Sequence, residues 1–184
     1  MNKILSAILA LCMIVSVTAC SSGNESSVPE EVKGSEDRTM REMTTQELIE
    51  DMGLGINLGN TFESCGNWIN KSSVTNYETA WGSPVITEQM IKGYKDCGFG
   101  VMRLPVAWSN MMDKETYTIN PDYIARVKEV LNWALDSDLY VILNIHYDNG
   151  WFSGFADDKK RDECFKKYEA IWKQLCEEFG DYGD

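Results

Sequence analysis

The only histidine of the chain, His146, lies where an apolar segment gives way to polar and aromatic residues. Residues 141–145 have the length and composition of a buried parallel strand, and Tyr147 and Asp148 follow at once. Strands of this kind deliver side chains to a functional site at their carboxyl ends. An imidazole at this position can contact a ligand, or it can be a hydrogen-bonded packing residue.

Arg103 lies in a second apolar segment, residues 99–106. Successive side chains of a strand point to opposite faces, so Arg103 and His146 could both point inward at the same end of a sheet. A guanidinium among apolar neighbours is costly to bury without a partner, and no acid in these strands obviously pairs with it. We therefore expect Arg103 either to extend to solvent or to find its partner on a strand outside this set.

These two segments belong to a repeated order of strand and helix. The predicted strands are 54–60, 99–106 and 140–146, and the predicted helices are 44–52, 87–97, 120–135 and about 159–179. Capping signals support the first three helices: Thr44 with Glu47, Thr87 with Gly98 at the far end, and Asn120 before Pro121. A long polar and aromatic loop is expected from Thr61 to about Pro84.

Two α/β architectures fit this order, a doubly wound open sheet and a (β/α)₈ TIM barrel. A dinucleotide-binding open sheet needs G-x-G-x-x-G at its first strand-to-helix turn, whereas Gly53, Gly55 and Gly59 lie before and within the strand. Polar residues end all three strands, as at the C-terminal face of a barrel. A barrel takes about 250 residues, so the 184 residues here are predicted to form only about its first three β/α units.

The charge of the chain argues against a polyanionic partner. Seventeen Lys and Arg against 29 Asp and Glu give a formal net charge of −12, which repels nucleic acid. One histidine and scattered acids form no ligand cluster, so neither a metal nor a cofactor is expected. Cys65, Cys97, Cys164 and Cys176 are too few for a disulfide scaffold, so one disulfide is possible and buried free thiols are favoured.

The N-terminus has the features of an export signal. A basic start at Lys3 precedes an apolar run that is too short for a stable membrane span. The end of this run, VTAC at 17–20, is similar to the bacterial lipoprotein cleavage box, although an ordinary secretory signal is the alternative. We therefore predict a signal peptide at 1–19, a flexible linker at 20–41 and a catalytic domain at 42–184. A lipid on Cys20 is predicted to anchor the exported protein to a membrane, at the cell surface or in the periplasm.

Three motifs together resemble glycoside hydrolase family five, and most nearly its bacterial endo-β-1,4-glucanases. They are LGINLGN at 54–60, FGVMRLPVAW at 99–108 and VILNIHYDNGW at 141–151, in the order and at the intervals of the first three barrel strands. The resemblance covers about residues 44–184, roughly the N-terminal half of such a catalytic domain. It implies a retaining glycosidase that hydrolyses β-1,4-linked glucan.

The resemblance also implies roles for individual residues. Arg103 is expected to support the catalytic nucleophile, and His146 to contact sugar in the cleaved subsite. Asn60 and Glu63 match positions that bind sugar hydroxyls. Tyr147 stands where the family often has a second histidine, and a phenol can both stack on a sugar and hydrogen-bond to it.

Tryptophans in the loops after the strands are candidate platforms for the apolar faces of glucose units. We expect this role for Trp81 and Trp151. Trp108 follows its strand directly, so packing at the rim is an equal alternative, and Trp133 and Trp172 on helices are expected to pack in the core.

The two catalytic glutamates of the family are expected to be absent from this chain. The resemblance places the acid/base in an Asn-Glu pair after a fourth strand and the nucleophile after a seventh, and the only Asn-Glu pair here is Asn24-Glu25. Glu63 and Asp148 follow strands one and three, so we do not expect them to substitute. This chain alone is therefore predicted to be inactive.

Two other classes of function remain open. A non-catalytic surface glycan-binding lipoprotein would use the same tryptophans without acids. A different barrel enzyme, for instance a metal-dependent one, fits less well because the sequence offers no ligand cluster.

Overall fold

A computed structural model describes residues 41–183, in which parallel strands alternate with helices. The elements are α1 (Thr45–Met52), β1 (Leu54–Asn57), α2 (Thr75–Glu78), α3 (Glu88–Asp96), β2 (Phe99–Val106), α4 (Pro121–Leu135), β3 (Tyr140–Ile145) and α5 (Arg161–Phe179). Two 3₁₀ segments, Trp108–Met111 and Asp148–Ala156, follow β2 and β3. The predicted signal peptide and most of the predicted linker lie outside the described residues.

The helix ends follow the local sequence signals. Thr44 and Glu47 form the predicted capping box of α1, and Thr87 accepts the Met90 N–H at the start of α3. Gly98 adopts a φ of 89° directly after α3, a left-handed conformation that favours glycine, and Asn120 caps α4 with Pro121 at its first turn. These helix starts depend on residues within one turn, so the sequence predicts them.

The three strands form one parallel sheet in the order β1-β2-β3. The register places Asn57 beside Arg103 and Val106 beside Ile145. The carboxyl ends of the strands therefore meet at one edge of the sheet, which positions the residues that follow them close together.

The two faces of the sheet have different surroundings. Met102, Leu104 and Val106 of β2 are fully buried and pack with α4 in the main core. Burial of each such side chain contributes about 1.5–3 kcal/mol. The other face carries Arg103 and its neighbour Ile142, which is 46% exposed. The helices cover one side of the sheet, and the polar residues lie on the other.

Several predicted elements differ from the observed ones. β1 ends at Asn57 instead of residue 60 because the chain turns there: Asn60 has a φ of 60° and the Thr61 hydroxyl donates to the Leu58 carbonyl. The predicted loop contains the short helix α2, β3 stops one residue before His146, and α5 begins at Arg161.

The linker prediction ended at Arg41, yet this residue packs against the domain. Its guanidinium lies 3.5 Å from the Asp51 carboxylate, and it contacts the Tyr140 ring, 5.2 Å from its centroid. The packed part of the chain therefore includes Arg41.

Trp172 of α5 lies outside the buried stripe of its helix, although it was predicted to pack in the core. Cys164, Ile171 and Leu175 are buried, whereas Tyr168 and Trp172 are partly exposed and contact each other edge to face. The four cysteines of the described residues are free thiols, as predicted, but only Cys65 and Cys164 are buried.

Between residues 41 and 183, no helix has the length and apolar character needed to cross a membrane. The same residues contain no group of three or more His, Cys, Asp or Glu side chains arranged to hold a metal ion.

Candidate functional site

Arg103 joins the ends of all three strands. Its Nη1 donates to the Asn57 Oδ1 of β1 at 2.7 Å, and its Nη2 lies 3.0 Å from the His146 Nδ1 that follows β3. The His146 N–H donates to the Val106 carbonyl at 2.9 Å, which extends the pairing of β2 and β3 by one residue. The predicted meeting of Arg103 and His146 is present.

The two partners of Arg103 are neutral acceptors, one in β1 and one directly after β3. The sequence predicted either contact with solvent or a partner on a strand outside these three, and it did not indicate Asn57. Asn57 is the Cα neighbour of Arg103 across β1 and β2, so knowledge of the strand register was needed to find it. A guanidinium held by two neutral acceptors keeps its full positive charge available at this edge.

The contact also defines the hydrogen-bonding roles of His146. A guanidinium has only donors, so the Nδ1 of His146 accepts and the imidazole proton lies on Nε2. His146 therefore presents an N–H donor on its far side. This arrangement suits a ligand oxygen better than it suits proton abstraction.

Glu63, predicted as a sugar ligand, is enclosed in the turn after β1. It is 5% exposed, and its two oxygens accept the backbone N–H groups of Asn60 and Thr61 at 2.6 and 3.0 Å. The structure thus gives Glu63 a role in shaping the turn after β1. Asn60 stands in that turn and is exposed, so a sugar contact by Asn60 stays a prediction.

Two predicted contact residues are accessible. Tyr147 is 61% exposed beside His146, and Trp81 is 40% exposed in the loop between β1 and α3. Both present an aromatic surface to solvent in this structure. Their roles as sugar contacts stay predictions.

Trp151 is half-buried and packs against its neighbours, and the sugar contact predicted for it stays a prediction. Its ring stacks on Phe152 with centroids 4.0 Å apart, and the Lys167 ammonium lies 4.6 Å from its centroid. Its indole N–H donates to Asp148 at 2.6 Å. Trp108, for which packing and ligand contact were equal alternatives, is fully buried.

Asp148 is a buried acid that the sequence did not mark as unusual. It is 0% exposed and accepts hydrogen bonds from Ser109 and Trp151. Burial raises the pKa of Asp148 above the ordinary 3.8, and the hydrogen bonds from Ser109 and Trp151 oppose this shift. The carboxylate is enclosed and has no open side for a substrate, so its raised pKa does not make Asp148 a catalytic acid.

The raised pKa of Asp148 predicts how stability depends on pH. Between the ordinary pKa and the raised one, the folded protein binds more protons than the unfolded chain, so the contribution of Asp148 to stability falls as pH rises through this window. Urea unfolding of the wild type and of Asp148→Asn from about pH 4 to pH 7 tests this. The stability difference, wild type minus variant, should decline with pH and then level off, and a steady increase would contradict the assignment.

Comparisons with known proteins identify the family of this chain. The family model for Cellulase (glycosyl hydrolase family 5) matches residues 62–184. Endoglucanase A of Ruminococcus albus is 40% identical over 146 residues, which are 79% of this chain and 38% of that protein. A xyloglucan-specific endo-β-1,4-glucanase of Bacteroides ovatus is 39% identical over 148 residues, 79% of this chain and 29% of that protein. The chain therefore spans about a third of the length of these curated relatives.

Solved structures match the three β/α units. A broad-specificity endoglucanase from Ruminococcus champanellensis with bound cellotriose aligns with a TM-score of 0.71 and 36% identity, over 78% of this chain and 42% of that one. A broad-specificity endoglucanase from Clostridium longisporum aligns with a TM-score of 0.71 and 35% identity, over 79% of this chain and 41% of that one. The parallel sheet and its helices are thus the first three units of a (β/α)₈ barrel, and the chain belongs to glycosyl hydrolase family 5, the cellulase family.

Proposed function

We propose that this chain forms the part of a β-glucan cleft that holds and orients sugar in a retaining endo-β-1,4-glucanase. Arg103, His146 and Tyr147 supply hydrogen-bonding and stacking groups to the sugar, and Trp81 supplies an aromatic platform. The proposal extends to this chain the activity that the names of its relatives state for those proteins.

The single observation that carries the proposal is the three-strand junction at Arg103. Its hydrogen bonds to Asn57 and His146 place one permanent positive charge and one imidazole N–H donor at the same edge of the sheet. Neutral sugar hydroxyls are both donors and acceptors, and a carboxylate nucleophile is stabilised by a neighbouring guanidinium. The junction therefore suits both tasks that the family resemblance implies.

Hydrolysis by this chain alone is not part of the proposal. A retaining mechanism needs two carboxyl groups about 5–5.5 Å apart. The acids in the turns after β1 and β3, Glu63 and Asp148, are buried with their oxygens bonded to neighbouring donors. Neither is placed to protonate a glycosidic oxygen or to attack a sugar carbon.

Calorimetry with cellotetraose on the purified chain tests the proposal. We expect binding with a Kd of about 1 mM, since a few hydrogen bonds of about 1 kcal/mol each sum to this affinity. Maltotetraose, which has the same sugar with α linkages, is the matched control and should bind more weakly. Equal heats for the two ligands, or none with cellotetraose, would overturn the proposed sugar site.

The same preparation should not hydrolyse carboxymethylcellulose. Release of reducing sugar at the rate of a complete endoglucanase would contradict the reading of Glu63 and Asp148 as structural acids. It would also contradict the expectation that the catalytic glutamates are absent.

We further propose that residues 1–19 direct export and that Cys20 carries the lipid that anchors the protein to a membrane. The support is the sequence pattern alone: a basic start, an apolar run and a small residue before Cys20. In a bacterial host fed a radiolabelled fatty acid, the wild type should be labelled and recovered with membranes. Cys20→Ala should lose the label, whereas Cys97→Ala, at an exposed thiol of the domain, should keep it. Label on the Cys20→Ala protein would contradict the assignment.

A further inference from the structure

The buried carboxylate of Asp148 joins the turns that follow β2 and β3. Its Oδ1 accepts the Ser109 N–H at 3.0 Å, and its Oδ2 accepts the Ser109 hydroxyl at 2.6 Å and the Trp151 indole N–H at 2.6 Å. Ser109 lies in the 3₁₀ segment after β2, whereas Asp148 lies two residues after His146. We propose that Asp148 is a positioning residue, whose carboxylate sets the placement of His146 and Tyr147 at the sugar site.

This inference rests on the proposed function, because it assigns Asp148 a role at the same site. Asp148 does not touch the sugar in this arrangement, since it is fully enclosed. It acts through the segment that carries the two contact residues.

The backbone around Asp148 adopts an unusual conformation. Asp148, Asn149 and Gly150 have φ values of 48°, 60° and 71°, so three successive residues lie in the left-handed region. Only glycine adopts this region without cost, so the two non-glycine residues need compensating contacts. The three bonds to the Asp148 carboxylate are such contacts.

The left-handed turn also places Tyr147. The Gly150 N–H donates to the Tyr147 carbonyl at 2.7 Å, and a Cβ on Gly150 would lie 3.0 Å from the Tyr147 hydroxyl oxygen. The phenol therefore lies over a glycine that leaves it room. A change in the turn moves Tyr147 directly, and His146, one residue earlier, moves with it.

The donors around the carboxylate favour its ionised form. The Ser109 and Trp151 N–H groups can only donate, and they reach different oxygens, so a proton on Oδ2 would compete with the Trp151 bond. Lys167 adds a favourable charge from α5. A buried charge of this kind is seldom needed for stability, because an apolar side chain often serves as well, and its best-attested use is to specify one arrangement.

The test uses the fact that His146 is the only histidine of the chain. Its imidazole Cε1–H resonance is therefore identified in a carbon–proton NMR spectrum of the full chain without assignment. Asp148→Asn should shift this resonance and weaken cellotetraose binding about tenfold, the effect of losing one to two hydrogen bonds. Asp158→Asn is the matched control, because Asp158 is a largely exposed acid paired with Arg161, and this variant should change neither the resonance nor the affinity.

Two further variants test whether the hydrogen bonds of Asp148, and not its charge or a general loss of folding, position His146. Ser109→Ala removes the hydroxyl donor to Asp148, and Trp151→Phe removes the indole N–H donor but keeps an aromatic ring. The Asp148 carboxylate is unchanged in both variants. Both should shift the His146 resonance in folded protein. An unchanged resonance in all three variants, even with a lower unfolding midpoint, would reduce Asp148 to a structural residue and overturn the inference.

Calorimetry and NMR together distinguish a failure of the proposed function from a failure of the inference about Asp148. If the wild-type chain does not bind cellotetraose, the proposed function fails for this chain and the inference about a sugar site fails with it, whatever the resonance does. If the wild type binds but the variants keep both affinity and resonance, only the inference about Asp148 is overturned.

Discussion

Substitution of Arg103 with alanine should weaken cellotetraose binding by at least about tenfold, with little loss of stability. Hydrogen bonds to a charged group contribute about 1.5–3 kcal/mol each, and Arg103 provides both its own donors and the orientation of His146. The stability should change by only about 1 kcal/mol, because the substitution leaves no charge behind. Its partners Asn57 and His146 are neutral, and Asn57 is exposed enough to be hydrated.

Two variants make this prediction specific. Arg103→Lys keeps the charge but cannot reproduce the two-pronged contact with Asn57 and His146, so it should recover only part of the affinity. Arg161→Ala removes an exposed arginine of α5 and should leave affinity unchanged. Calorimetry gives the affinities, and the His146 resonance reports the site. Wild-type affinity in Arg103→Ala would remove the main support for the proposed function.

Substitution of Arg126 with methionine should, unlike Arg103→Ala, cause a large loss of stability. Arg126 donates from Nε and Nη2 to the two Glu78 oxygens at 2.8 and 3.0 Å, and from Nη2 to the Ile86 carbonyl at 2.7 Å. Glu78 is fully buried, so the variant leaves a carboxylate without its cation. Breaking a buried pair in this way costs about 3–5 kcal/mol, which urea unfolding measures directly.

The same helix provides the control for this prediction. Lys128 pairs with Glu178 at 3.4 Å on the surface, and Lys128→Met should cost less than about 1 kcal/mol. Combining Arg126→Met with Glu78→Met should recover part of the loss, because the unpaired charge is gone. Recovery is incomplete because the Ile86 N–H loses its Glu78 acceptor. Equal losses for Arg126→Met and Lys128→Met would contradict the buried pair.

The Arg126 pair also has a consequence for the proposed cleft. Glu78 is the last residue of α2 and lies three residues before Trp81. Its pair with Arg126 therefore attaches the loop that contains Trp81 to helix α4. We therefore expect Arg126→Met to increase the solvent exposure of Trp81. Because the chain has six tryptophans and Arg126 also stacks on Trp133, the signal of Trp81 is taken as the difference in fluorescence quenching between proteins with and without Trp81→Phe.

Local features were predictable from the sequence because their causes lie within a few residues. The capping box at Thr44, the N-cap at Asn120 and the bounds of β2 all match. The meeting of Arg103 with His146 was predictable for a related reason. Strand alternation and parallel order place both residues at one edge without further information.

Features that depend on distant residues were not predictable from the sequence. The sequence predicted Glu63 as a sugar ligand, and only the fold shows its carboxylate turned inward onto the backbone of its own turn. Trp151 reads as an exposed aromatic, and only the fold places Phe152, Asp148 and Lys167 around it. Burial and desolvation are properties of the packed neighbourhood, so a residue's type and spacing do not determine them.

The sequence by itself therefore determined the strand and helix order, the family and the positions of Arg103 and His146 at the carboxyl edge of the sheet. Only the tertiary structure decided which groups contact them. The strand register brings Asn57 to Arg103, and the packing of the turns after β2 and β3 encloses Asp148 behind His146. The physical reason is that periodicity specifies the direction of a side chain, whereas its partner depends on which distant segment packs there.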